Sequence, residues 1–294
     1  MSRPTTDNEA VELFRREPQR YLPVATGEVA YRRVGNGPDV LFVHGWPVSG
    51  ATFRHLLPHL AHHVTCHVID LPGAGASRFL PDTRLSFDGH IAAVRQVVET
   101  LGFDSYAVVG HNSGGLIARH AIADDPRLRA LGLIDTEQPH GLNRRFRHFL
   151  VAGRVPGFGA ALGWAIGSRR LRRSTLILGG AFEDASLLDG EFDEFFLEPI
   201  RSQRNRRDAA VALLRSFDQR YVRELVALHR RITAPVQLVW GENDPFFPVR
   251  WAQEMVDTFP QAQLHVVPGA RLFSHEEKPV EVAAALLPVL EARG

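Results

Sequence analysis

The chain has 294 residues, enough for one large core with an inserted subdomain or for two small domains. Hydrophobic residues make up 45% and charged residues 23%, which fits a globular protein, and a formal net charge of +1 supplies no field that would point to nucleic acid or an anionic membrane as partner. The single cysteine, Cys66, excludes an intrachain disulfide, and arginine carries all the basic charge except Lys278, a bias that GC-rich codons explain without an anion site.

Cys66 lies in an apolar run and is expected in the core, and its lone presence makes the cytosol the natural compartment. The first ten residues are polar and acidic, so no signal peptide is expected. No uninterrupted apolar run reaches membrane-spanning length, even over residues 149–166, where Gly and Arg intervene.

Residues 9–16 read as a short helix stopped before Pro18, and residues 29–34 as a strand followed by the turn Gly35-Asn36-Gly37-Pro38. Residues 40–43 form a continuous apolar run ending at His44-Gly45, as suits a strand buried on both faces of a parallel sheet. Helix-like residues 52–61, a strand over 64–71, a helix over 87–101 closed by Gly102, and a strand over 106–109 follow. A helix over 116–123 and a strand over 130–134 continue the alternation, which predicts an α/β fold with a doubly wound, mostly parallel sheet. The pattern breaks over residues 137–231 and returns with a strand at 236–240, a helix at 249–258, a strand at 264–267 and a helix at 280–292. This predicts a core of residues 1–136 and 232–294, with 137–231 as a helical cap over the strand ends where open α/β sheets bind ligands.

The most informative stretch is Gly110-His111-Asn112-Ser113-Gly114-Gly115, directly after a strand and before a helix. Small residues two positions either side of a central residue let two backbones nearly touch at a strained turn, the geometry of a nucleophile elbow with Asn112 at its centre. A phosphate-binding helix start would need another glycine spacing and a Walker lysine.

With this elbow the chain resembles the α/β-hydrolase superfamily. His44-Gly45-Trp46-Pro47 resembles its oxyanion loop, the Asp70-Leu71-Pro72-Gly73-Ala74-Gly75-Ala76-Ser77 run its Asp-x-Pro-Gly-x-Gly-x-Ser loop, and Trp240-Gly241-Glu242-Asn243-Asp244-Pro245 its acid loop. The resemblance implies an oxyanion hole made by the backbone N–H groups of Trp46 and Ser113, with Asp244 as catalytic acid. Two positions depart from the pattern. Asn112 stands where the family carries Ser, Cys or Asp, and Leu272 stands where it carries its histidine. His275, three residues on, lies on roughly the face of Leu272 if a helix has begun there, and is expected either as the replacement base or as a surface histidine. Ser113 is a rival nucleophile, one residue past the elbow centre.

Asn is the isosteric amide of Asp, and an Asp nucleophile attacks alkyl carbon without a base, whereas Ser needs one from the first step. The chain therefore resembles the Asp-nucleophile branch of epoxide hydrolases and dehalogenases, though only Tyr221 lies in the cap region, where family epoxide hydrolases use two tyrosines. Glu137 sits near an alternative acid position or at a cap hinge. His44 and His111 are expected to brace loops, and His140 to line the pocket or lie in a solvated loop. Cap phenylalanines, from Phe146 and Phe149 to Phe195 and Phe196, imply a largely apolar small-molecule substrate, and Arg169, Arg170, Arg172 and Arg173 a solvated helix face. Neither a cofactor nor a metal is expected. Three functions stand in order: hydrolysis of an epoxide, alkyl halide or ester through position 112; a lyase or cyclase reaction without a covalent step; and ligand binding without turnover.

Overall fold

The computed structural model describes residues 6–80, 83 and 85–292. Among the described residues nine strands form one mixed sheet: β1 (Arg20–Val24), β2 (Gly27–Gly35), β3 (Asp39–Val43), β4 (Thr65–Asp70), β5 (Arg78–Phe79), β6 (Tyr106–His111), β7 (Leu128–Ile134), β8 (Val236–Gly241) and β9 (Ala262–Val267). Their spatial order is β1-β2-β4-β3-β6-β7-β8-β9, with β5 paired to β2. From β4 to β9 every pairing is parallel, while β2 runs antiparallel to β1, β4 and β5. This is the mostly parallel α/β architecture that the alternation of strands and helices predicts.

The parallel strands are buried because helices cover both faces. Val40, Leu41, Phe42 and Val43 of β3 are each fully buried, and each such side chain contributes roughly 1.5–3 kcal/mol over remaining exposed. A continuous apolar run is the sequence form of such a strand. The antiparallel hairpin of β1 and β2 is absent from the reading of the sequence. Arg20 and Pro23 break any apolar alternation there, and the pairing Val24↔Gly27 closes the hairpin across a turn with Gly27 at φ 138°. Residues 52–61 do not form one helix: a 3-10 turn at Gly50–Phe53 precedes a short helix at Leu57–Leu60, whose second residue is Pro58.

The chain leaves the sheet after Ile134 and rejoins it at Val236. Among the described residues this stretch contains helices, including Arg144–Arg154, Phe158–Gly167 and Arg204–Ser216, and no strand beyond an isolated bridge between Gln138 and Gly141. The arginine run forms a solvated face only in part, since Arg169 and Arg170 are exposed. Arg172 is buried and bonds Asp189 and Asp193, and Arg169 and Arg173 also reach Asp189, so the run fastens two parts of the insert together. No single helix among the described residues is long and apolar enough to cross a membrane.

Candidate active site

The loops after β3, β6, β7, β8 and β9 leave the sheet at one end, and the site is built from them. β6 ends at His111 and the helix Ser113–Ile122 begins two residues later, so Asn112 alone makes the corner. It adopts φ 52° and ψ −136°, a strained conformation for a residue with a Cβ. The glycines around it explain how that corner fits. A Cβ on Gly114 would lie 2.3 Å from the carbonyl oxygens of both Val43 and His44, and one on Gly110 would lie 2.6 Å from Gly115 Cα. A Cβ on Gly45 would meet Asn112 Cβ at 2.5 Å, so the oxyanion loop presses directly on the elbow. The helix begins at Ser113 rather than Leu116 because Asn112 caps it, a signal that apolar periodicity does not carry.

Asn112 Oδ1 accepts hydrogen bonds from Ser113 N at 2.5 Å and Trp46 N at 3.3 Å. Two backbone donors thus converge on one point, and because both are donors they fix the amide oxygen, not the nitrogen, between them. Each donor of this kind is worth about 3–4 kcal/mol toward a developing oxyanion. The indole Nε1 of Trp46 donates to Ala210 O, so this ring anchors the insert and has no N–H left for a substrate. The Ser113 hydroxyl is buried without a partner.

The histidines sort by their bonds. His44 Nε2 accepts from Leu71 N, which leaves the proton on Nδ1 to donate to Gly45 O, and burial lowers its pKa. His111 Nε2 donates to Leu272 O at 2.9 Å, and burial pushes its pKa down to about 3. Both therefore brace loops as neutral rings. His140 pairs with Glu254 at 2.7 Å, stacks on Trp251 and is not part of the cavity wall. His275 lies in the short helix Ser274–Glu277 and is fully buried, and its Nε2 is 2.8 Å from the Thr52 hydroxyl, which donates to Glu276. Its ring packs against Phe53 and His111 and forms no part of the cavity wall. The structure thus separates His275 from Leu272, which does line the cavity.

Asp244 is buried in the loop after β8, its Oδ1 accepting from Phe246 N at 2.7 Å and Phe247 N at 3.1 Å. Its Oδ2 has no partner, as expected of an acid whose histidine position holds leucine. A second acid, Asp135, stands at the first position after β7, a site that the sequence reading passed over for Glu137. Its φ is 39°, and its oxygens accept from Gly241 N at 2.8 Å and the Ser274 hydroxyl at 2.5 Å. Burial raises the pKa of both carboxyls, and Asp135 is raised further by repulsion from Asp244. An acidic residue at the C-terminal end of a buried strand was the signal available for Asp135.

A cavity of about 50 Å³ lies beside Asn112. Phe146, Phe149, Leu150, Leu213, Leu214 and Phe217 of the insert form its roof, and Trp46, Phe87, Phe246, Phe247, Leu272 and Phe273 its floor and sides. Its polar lining is Asn112, Ser113 and Glu137, so Glu137 is the one side chain on that wall, among the described residues, that titrates. Glu137 is 1% exposed, and burial raises its pKa against the lowering effect of Arg119. Arg119 is fully buried and donates to Glu137 O at 2.7 Å and the Thr136 hydroxyl at 3.0 Å. No group of three or more metal-ligating side chains gathers among the described residues.

The chain is 29% identical over 255 residues to a pimeloyl-[acyl-carrier protein] methyl ester esterase of Chromobacterium violaceum, an alignment covering 85% of this chain and 94% of that protein. It is 27% identical to the magnesium-chelatase 30 kDa subunit of Rhodobacter capsulatus, over 87% of this chain and 88% of the other. Among solved structures, haloalkane dehalogenase DbeA from Bradyrhizobium elkani superposes with a TM-score of 0.77 at 21% identity, covering 92% of this chain and 96% of its own. Epoxide hydrolase CorEH superposes with a TM-score of 0.75 at 20% identity, covering 92% and 98%. At such identities the structural likeness speaks for the fold alone. The sequence profile of the alpha/beta hydrolase fold matches residues 38–279, and with the elbow, the paired N–H donors and the acid loop described above, the chain belongs to the alpha/beta hydrolase fold family.

Proposed function

We propose that this chain is an alpha/beta hydrolase of the carboxylate-nucleophile type, acting on a small to medium apolar epoxide, alkyl halide or ester, and held back by the amide at position 112. The observation that carries this reading is the placement of Asn112 Oδ1 between Trp46 N and Ser113 N. In a carboxylate at this position one oxygen would occupy the same point, where it becomes the carbonyl oxygen of an ester intermediate. The other would be free to attack carbon, and in Asn112 that second atom is an amide nitrogen, a poor nucleophile. A serine nucleophile would need a base from the first step, and among the described residues no histidine lines the cavity. The apolar wall favours substrates without charge. The test is turnover of styrene oxide, 1-bromobutane and phenyl acetate by the Asn112→Asp variant beside the unaltered chain. Turnover gained with at least one probe supports the reading, and equal rates with all three remove its basis.

A second reading, a lyase or cyclase reaction without a covalent step, draws on the same lack of histidine together with Glu137 in the wall. It requires activity that partly survives Asn112→Ala. An ester adduct at position 112 of the Asp variant, released at the rate of turnover, would rule it out.

A further inference from the structure

A hydrolase that passes through an ester at position 112 needs a group to take a proton from water, and the histidine position holds Leu272. Glu137 lines the cavity, is buried, and its Oε1 has no partner. Its Oε2 is 3.0 Å from the Thr136 hydroxyl, which is also 2.8 Å from Asn112 O. One hydroxyl therefore ties this carboxyl to the backbone of the elbow itself.

The hydrogen bonds around Thr136 show which proton states the group can hold. The hydroxyl accepts from Arg119 and has a single proton to give. If it donates to Asn112 O, Glu137 Oε2 is satisfied only by carrying a proton and donating to Thr136. If it donates to Glu137, Oε2 is satisfied in the anion. Oε2 keeps its partner in both arrangements while Oε1 stays unpaired, so the carboxyl can change charge without any side chain moving. The charged group facing it is Arg119, on the helix Ser113–Ile122, with His229 behind Arg119 at 2.9 Å, while Asp135, two residues earlier, is turned to Gly241 N and the Ser274 hydroxyl.

We propose that Glu137 takes and returns the proton in this cavity, in place of the histidine absent at Leu272. This rests on the preceding reading of position 112 as the nucleophile position. In the Asn112→Asp chain a carboxylate oxygen bonds the substrate's alkyl carbon and forms an ester there, as the carbon–halogen bond breaks and halide leaves, or as the epoxide carbon–oxygen bond breaks and the freed oxygen takes a proton from water. The Glu137 carboxylate then takes a proton from a water molecule as the water oxygen bonds to the ester carbonyl carbon. The resulting oxyanion accepts from Trp46 N and Ser113 N. Collapse breaks the bond to the alkoxide oxygen, which takes the proton from Glu137 and leaves as alcohol, and the carboxylic acid at position 112 releases its own proton to solvent. Water is the only co-reactant. Burial raises the Glu137 pKa toward the range in which such a group is useful, with Arg119 limiting the rise.

The experiment compares Asn112→Asp with Asn112→Asp/Glu137→Gln and Asn112→Asp/Glu137→Asp, using styrene oxide or 1-bromobutane, whichever turns over faster. The Gln variant should still form the ester, seen as an added mass, while its kcat falls by about 100-fold or more, and the Asp variant should keep part of the activity. Equal kcat with Gln overturns the role of Glu137 and leaves the nucleophile reading standing. If Asn112→Asp neither forms an adduct nor turns over any probe, the nucleophile reading fails, and Glu137 is then decided on the unaltered chain. Infrared difference spectra against Glu137→Gln should show a carboxylic acid band that persists above the ordinary glutamate pKa of about 4.3. A Glu137 that ionises at or below that ordinary value overturns the proposal.

Discussion

His111 offers a quantitative check on how the floor of the cavity is built. Its ring is fully buried between Leu272 O, Phe273 and His275, and burial pushes its pKa down to about 3. In the unfolded chain a histidine titrates near 6.5. Below that pH the unfolded state takes up a proton that the folded ring refuses. Stability is therefore full above about pH 6.5 and falls as the pH drops, until the folded ring itself titrates near pH 3. At about 1.4 kcal/mol for each pH unit, lowering the pH from 6.5 to 5 removes about 2 kcal/mol through this residue alone. His111→Gln keeps a donor for Leu272 O but does not titrate. At about pH 8 it should be less stable than the parent by about 1–2 kcal/mol, for the lost ring packing. By about pH 5 that gap should close by about 2 kcal/mol. Other buried histidines, such as His90, held down to about 4, contribute to both proteins and cancel in the difference. The assay is urea unfolding followed by tryptophan fluorescence. A gap constant to within about 0.5 kcal/mol across this range would mean that His111 is not the dry, neutral brace described.

Other consequences can be tested alongside. Gly114→Ala puts a Cβ 2.3 Å from two backbone oxygens and should cost at least about 2 kcal/mol in urea unfolding; a loss under about 0.5 kcal/mol would deny the close approach of elbow and oxyanion loop. Trp46→Phe keeps the backbone donor but loses the bond from Nε1 to Ala210 O, so the insert over residues 198–216 should exchange amide hydrogens faster while the sheet does not, and uniform protection would contradict the anchoring role. In the Asn112→Asp/Glu137→Gln background, Leu272→His should raise kcat by about 100-fold or more by giving Asp244 Oδ2 a partner and the cavity a base in place of Glu137. An unchanged rate would show that this acid loop is not positioned to support one.

The sheet could be read from sequence because its central strands are buried on both faces and appear as unbroken apolar runs. The edge was less legible: β1 carries Arg20 and Pro23, and only pairing with β2 makes it a strand. The elbow was legible because steric demand fixes it, since two backbones meet there and only glycine fits at 110 and 114. The base was not. The expectation for His275 depended on the phase of a helix four residues long, and in the fold that helix turns the ring toward Thr52 and Phe53. Sequence spacing cannot resolve the rotation of so short an element. Asp135 and Glu137 lie two residues apart after one strand, and only the fold separates them, one bonded to Gly241 and Ser274 and the other on the cavity wall. The arginine run was legible only in part for a similar reason: Arg169 and Arg170 are exposed as expected, but Asp189, which gathers Arg169, Arg172 and Arg173, lies 16 to 20 residues further along the chain.

The most direct measurement is the mass of the peptide containing residue 112, taken from Asn112→Asp protein quenched within the first turnovers of styrene oxide or 1-bromobutane. The account predicts the substrate's mass added at position 112 itself, and the unaltered Asn112 chain free of it. An adduct on Ser113, or none on either protein while product forms, would place the reacting atom elsewhere and contradict the account at its centre.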